Sequence, residues 1–219
     1  MNRTGKKIMM AAAVFMLAFN TFSNPKKVKN MKVKANQMAP EIQAKDVNGK
    51  EVNLADLKGK KILLTFFRNV GCPVCNFRVH ELMQQYDSLK AKGLVFIAIY
   101  ESSRQQMLQY IENENIPFTM IPDPEHKLYN LYNVERSTGK MLGSFFKGEV
   151  IKKVMKGQKQ FNKKLKQDGH KNQMEADFLI NEKGEVVVAH YGTFIGDHIP
   201  LEKIKEFAKG EPVLSEQLK

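Results

Sequence analysis

The only two cysteines of the 219-residue chain, Cys72 and Cys75, stand three positions apart. They close the stretch Thr65-Phe66-Phe67-Arg68-Asn69-Val70-Gly71-Cys72-Pro73-Val74-Cys75. Its apolar first part reads as a buried strand and its last part as a helix start. Pro73 suits the first helical turn, where its missing N–H had no partner to lose. Cys72 then lies at a helix N-terminus, where backbone N–H groups and the helix dipole favour an anion. A thiolate is stabilised there, and the thiolate is the reactive form. Cys75 follows one turn on, with its sulfur in reach of a disulfide to Cys72. The expected chemistry is redox. Cys72 attacks a disulfide sulfur or a peroxide oxygen, giving a mixed disulfide or a sulfenic acid. Cys75 resolves either species as an internal disulfide, which an external dithiol must reduce.

Arg68, four residues before Cys72, has two readings. Beside the thiolate it lowers the thiol pKa or binds a peroxide oxygen; at a strand end it is a surface salt bridge. His80, two turns along the same helix, reads as a surface residue rather than a general base. For the pair itself the plain alternative is two buried structural cysteines. The strand-to-helix junction, the flanking Gly71 and Pro73, and the absence of other cysteines weigh against it. Two cysteines are no disulfide framework. A structural zinc site built on Cys-x-x-Cys needs two more ligands, and no second such pair or spaced His pair supplies them. Neither a metal nor a cofactor is assigned.

The surrounding elements alternate. Glu41–Asp46 and Glu51–Asn53 flank Asn48-Gly49, a strong hairpin signal. Leu54–Leu57 suits one helical turn. Lys61–Phe67 and Leu94–Tyr100 read as buried strands. Between them Val74–Lys92 carries Phe77, Leu82, Tyr86 and Leu89 at near-helical spacing, stopped by Gly93. Ser102 or Ser103 caps a helix carrying Met107, Tyr110 and Ile111. Phe118–Ile121 is a short strand, and His126–Tyr132 a short helix. Residues 134–175 interrupt the alternation. There, Ser144–Leu165 sets Ile151, Val154, Met155, Phe161 and Leu165 on one helical face, and nine lysines lie from Lys147 to Lys171. A surface helix covering the sheet is the expectation; a basic amphipathic helix lying on a membrane is the alternative. Phe178–Asn181 and Glu185–Tyr191 form a last hairpin, followed by a helix with Leu201, Ile204, Phe207 and Ala208. The order predicts an α/β fold with a mixed sheet and helices on its faces.

The formal net charge is +12, from 35 Lys plus Arg against 23 Asp plus Glu. The excess is mostly lysine, spread along the chain without an aromatic-interleaved basic patch. A solvated basic surface is expected, and no nucleic-acid partner. Residues 1–23 read as a signal peptide: Arg3, Lys6 and Lys7 precede an apolar run from Ile8 to Phe19, and Thr21 and Ser23 suit cleavage. The run is short for a membrane span. An N-terminal domain helix and an uncleaved anchor are the alternatives, the anchor kept open by the lysines from Lys26 to Lys34. Residues 24–37 read as a lysine-rich tether, 38–212 as the domain with its insertion at about 134–175, and 213–219 as a tail. Export to the periplasm or cell envelope is expected.

Residues 38–208 resemble the alkyl hydroperoxide reductase and thiol-specific antioxidant family, the peroxiredoxin-like redoxins. The matching pieces are Ala39-Pro40, Asp46-Val47-Asn48-Gly49-Lys50, and Leu57-Lys58-Gly59-Lys60 leading into Ile62–Phe67. Further pieces are Ile97–Ser103, Asp123–Lys127 running on to Tyr132-Asn133-Val134, and Phe178–Gly184. The resemblance implies a thioredoxin fold with an N-terminal β-hairpin, a helical insertion before the last hairpin, and Cys72 as the attacking residue. The chain departs from the family pattern near the site. Asn69 stands three before Cys72, where typical members carry Thr, and Glu175 falls near the place of their late Arg. The thioredoxin Trp before the first Cys is Gly71, and Glu175-Ala176-Asp177 stands where a cis-proline is expected. The Gly-Cys-Pro-x-Cys site, Arg68, the long insert and Gly196-Asp197-His198-Ile199-Pro200 are similar to a divergent branch of the family.

The leading expectation is therefore an antioxidant thiol oxidoreductase of the cell envelope that reduces peroxides through Cys72, resolved by Cys75. The next is a thiol–disulfide oxidoreductase acting on protein disulfides. A third, of another class, is a non-catalytic binding module using the basic insert to dock a partner or a membrane surface.

Overall fold

The computed structural model describes residues 31–112, 114–160 and 166–213. The fold is that of the body that begins at Lys32. The expected signal peptide, residues 24–30 of the tether and the tail from 214 lie outside the described residues. Among the described residues no helix is long and apolar enough to cross a membrane.

Two short strands, β1 (Gln43–Lys45) and β2 (Glu51–Asn53), form the expected N-terminal hairpin. Asp46 Oδ1 holds its turn by accepting from Asn48 N and Lys50 N, both at 2.9 Å. A 3-10 turn, Leu54–Leu57, leads on to β3 (Lys61–Phe66). The other sheet strands are β4 (Leu94–Tyr100), β5 (Thr119–Pro122), β6 (Ala176–Ile180) and β7 (Val186–Tyr191). Their order is β5-β4-β3-β6-β7, with β3, β4 and β5 parallel and β6 and β7 antiparallel. The mixed sheet and the long parallel crossovers are those of the thioredoxin fold.

The apolar strands read as continuous runs because both faces of the sheet are covered. Leu63 and Phe67 face one apolar cluster, while Ile62, Leu64 and Phe66 face the other. The first cluster is closed by α1 (Pro73–Lys90), α2 (Arg104–Ile111) and α6 (Leu201–Lys209). The second is closed by α3 (Lys127–Leu131), whose Tyr129 is fully buried.

Two segments differ from the sequence reading. The tether is not free throughout: Asn36 N donates to Val186 O and Val186 N to Gln37 O, both at 2.8 Å. Val33 is buried, and its N–H donates to the Tyr191 hydroxyl at 2.8 Å. Strand β7 is an edge whose backbone groups need partners, and residues 33–37 supply them. The insert is two helices rather than one, α4 (Thr138–Ser144) and α5 (Gly148–Gln160). Gly143 and Gly148 weaken helix continuity between them. Ser144 Oγ meanwhile accepts from Ile195 N at 2.8 Å, which ties the break to the loop after β7. Helix α5 lies against α1, not on the sheet. A Cβ at Gly157 would stand 1.9 Å from Pro73 O, so only glycine allows this crossing. Phe161 and Leu165 of the expected helical face lie outside the described residues.

Candidate active site

Strand β3 ends at Phe66, and the chain turns through Arg68–Gly71 into α1. The turn is held to its neighbours at several points. Phe67 N donates to Ile99 O at 2.9 Å, Glu101 N to Arg68 O at 3.0 Å, and Val70 N to Ser102 Oγ at 3.0 Å. Cys72 is the N-cap of α1: its Sγ accepts from Cys75 N at 3.5 Å. A sulfur in that place meets the positive end of the helix.

The structure buries Arg68 beside Cys72 rather than at the surface. Its guanidinium is buried, with Nη1 3.5 Å from Cys72 Sγ and Nη2 donating to Lys171 O. Burial alone would lower the Arg68 pKa, but the thiols and the nearby carboxylates outweigh it and raise it, so the group stays charged. Cys72 is drawn down to about 6. The hydrogen bond from the Cys75 thiol is the largest cause; burial opposes it, and Arg68 and the backbone N–H groups of Val74 and Cys75 assist. Cys75 is pushed far up, by burial first and then by its neighbour Cys72. The two unbridged thiols therefore differ in kind: the surroundings favour the thiolate at Cys72 and the protonated thiol at Cys75. His80 sits on the outer part of α1, its Nε2 3.0 Å from Gln84 Nε2, away from this chemistry.

Glu175, just before β6, is the site residue that the sequence reading did not identify as functional. It stands out there only as an acid where the family's Arg would fall. In the structure it is fully enclosed, with Oε1 3.9 Å from Cys75 Sγ and accepting from Gly196 N at 3.2 Å. Burial lifts its pKa to about 8, with Arg68 opposing and Cys72 adding to the rise. Gly196 is presented by the Gly196–Pro200 segment. Asp197 Oδ2 accepts from Thr193 N at 2.8 Å, and Asp177 Oδ2 accepts from Ile199 N at 2.8 Å. Among the described residues no peptide bond is cis, so the body reaches this loop geometry without a cis-proline.

A cavity of about 510 Å³ opens on Cys72. Arg68, Cys72 and Pro73 form one side, and Met141, Phe145, Val150, Ile151, Val154 and Met155 of the insert form the other. Cys72 itself is 1% exposed.

The position of Glu175 predicts a role in the second half-reaction. If Glu175 accepts the Cys75 proton across the contact between them, its removal should show at disulfide closure. Glu175→Gln should leave the first oxidation of Cys72 nearly unchanged and slow disulfide closure by roughly 100-fold. The lifetime of the sulfenic acid, followed by mass spectrometry after rapid mixing, measures it. Unaltered closure would mean that Cys75 loses its proton by another route.

A profile of the AhpC/TSA family matches residues 35–189. Peroxiredoxin Bcp of Bacillus subtilis (strain 168) is 28% identical over 113 residues, which are 50% of this chain and 72% of that protein. Among solved structures, peroxidoxin BcpB from Mycobacterium tuberculosis superposes with a TM-score of 0.57 at 11% identity, over 81% of this chain and 95% of that one. A protein assigned as the thiol:disulfide interchange protein DsbE from Chlorobium tepidum does so with 0.56 at 20% identity, over 82% and 100%. At such identities the two structures speak for the fold alone. The family profile covers both cysteines and most of the sheet, and the chain belongs to the AhpC/TSA family of peroxiredoxin-like oxidoreductases.

Proposed function

We propose that this protein reduces hydroperoxides in the cell envelope, with Cys72 as the attacking thiolate and Cys75 as the resolving thiol. The burial of Cys72 at an apolar cavity carries the reading. A protein disulfide must bring its sulfur up to the attacking thiolate, and at 1% exposure Cys72 offers little surface for that. A small peroxide fits the cavity of about 510 Å³. The Cys72 sulfur attacks one peroxide oxygen, an S–O bond forms, and the O–O bond breaks. The leaving oxygen takes a proton and departs as alcohol or water, with Arg68 placed to stabilise its charge. Cys75, deprotonated by Glu175, then attacks the sulfenic sulfur. The disulfide forms, and the hydroxyl leaves as water with the proton that Glu175 accepted. An external dithiol restores both thiols.

The apolar wall favours an organic hydroperoxide over hydrogen peroxide. Each methylene buried there is worth about 0.8 kcal/mol, so about fourfold in kcat/KM. The second reading, exchange with protein disulfides, is supported by the Cys-Pro-x-Cys spacing. Stopped-flow oxidation of the reduced protein by hydrogen peroxide, cumene hydroperoxide and a protein disulfide separates the two. Fastest reaction is expected with cumene hydroperoxide. Peroxide oxidation no faster than that of a free thiol, beside rapid disulfide exchange, would replace the first reading by the second.

A further inference from the structure

Next to Lys171, whose carbonyl Arg68 binds, three metal-ligating side chains from distant parts of the chain converge. Glu101 follows β4, His126 precedes α3, and His170 closes the insert. His126 Nε2 lies 3.2 Å from Glu101 Oε2, His170 Nδ1 lies 3.3 Å from the same oxygen, and the two ring nitrogens are 3.2 Å apart. A tetrahedral zinc with ligands at 2.0–2.1 Å spaces its donors at about 3.3–3.4 Å. Glu101 Oε2 also accepts from His170 N at 2.9 Å, which holds the carboxylate in place between the two rings. A cation equidistant from the three donor atoms would engage all of them.

Other features are those of a formed site. The Glu101 side chain is fully buried, and its Oε1 has no partner among the described residues. Gly169 admits it: a Cβ there would stand 2.4 Å from Glu101 Cδ. His126 adopts a left-handed backbone, φ 57°, uncommon for any residue but glycine, and that conformation accompanies its ring's place at the carboxylate. His170 is about half exposed, leaving the fourth position open to water.

We propose that Glu101, His126 and His170 form a binding site for a zinc-type divalent cation, completed by solvent. The next residue, Lys171, gives its carbonyl to Arg68, so an ion bound here fastens the segment that steadies the guanidinium at Cys72.

The full-length, untagged protein carrying Cys72→Ser and Cys75→Ser removes the competing thiolates. Zn²⁺ titrated into it by calorimetry should show one saturable site. Co²⁺ should give the absorption bands of a tetrahedral ion without a thiolate charge-transfer band. His170→Ala and Glu101→Gln, added to that background, should abolish both signals, and His80→Ala should leave them intact. The melting temperature should rise with Zn²⁺ in the parent and not in His170→Ala, whose half-exposed side chain can be removed without disturbing the core. No saturable binding, or an isotherm unchanged by His170→Ala, would overturn the assignment.

Discussion

Replacing Cys72 by serine is expected to reduce hydroperoxide turnover by roughly 10⁴-fold or more, to the background of the uncatalysed reaction. Serine keeps an oxygen able to cap α1, so the fold persists while the nucleophile is lost. Cys75 does not substitute, because burial and its neighbours hold its proton on. The companion Cys75→Ser should oxidise once, at close to the wild-type rate, and stop at a sulfenic acid that a dimedone-type reagent traps. Turnover kinetics together with intact-mass analysis read both results. Activity surviving in Cys72→Ser but lost in Cys75→Ser would reverse the two roles.

The second large effect is that of Arg68→Met, which keeps bulk and removes charge. Two losses combine. The thiolate loses the cation 3.5 Å from its sulfur, and the departing peroxide oxygen loses its donor. Together they should lower kcat/KM for peroxide by roughly 10²–10³-fold. The pH profile separates them. In the wild type the rate of Cys72 alkylation should rise through about 6 and then level off. In the variant the inflection should move upward, yet stop short of an ordinary thiol, because the Cys75 hydrogen bond remains the larger cause. Above the variant's inflection both proteins carry thiolates and alkylate alike. A peroxide deficit persisting there measures the lost donor by itself. An unmoved inflection with unchanged peroxide kinetics would leave Arg68 only a structural part.

The strand-turn-helix unit around Cys72 is legible in the sequence because its parts are local. Leu63 to Phe67, the turn at Gly71, Pro73 in the first helical turn and the apolar spacing along α1 all lie within thirty residues, and each obeys a short-range rule. The same holds for the Asn48-Gly49 hairpin, for β4 and for the last hairpin, which the structure places within a residue or two of their expected ends. The insert is less legible. Its helical spacing is present, but Gly143, Gly148 and the bond between Ser144 and Ile195 break it, and the partner in that bond is distant. The docked part of the tether is hidden for the same reason: the open edge of β7 exists only once the sheet has formed.

Sequence alone thus determined the cysteine pair at the strand-to-helix turn, its helix and the order of the elements, since these depend on neighbours a few positions apart. Tertiary structure decided the rest. It placed Glu175, a hundred residues after Cys75, against that thiol. It set the Arg68 guanidinium beside the Cys72 sulfur, walled the cavity with the insert, and gathered Glu101, His126 and His170. No spacing rule connects residues so far apart; the parallel crossovers of the sheet and the return of β6 beside β3 bring them together.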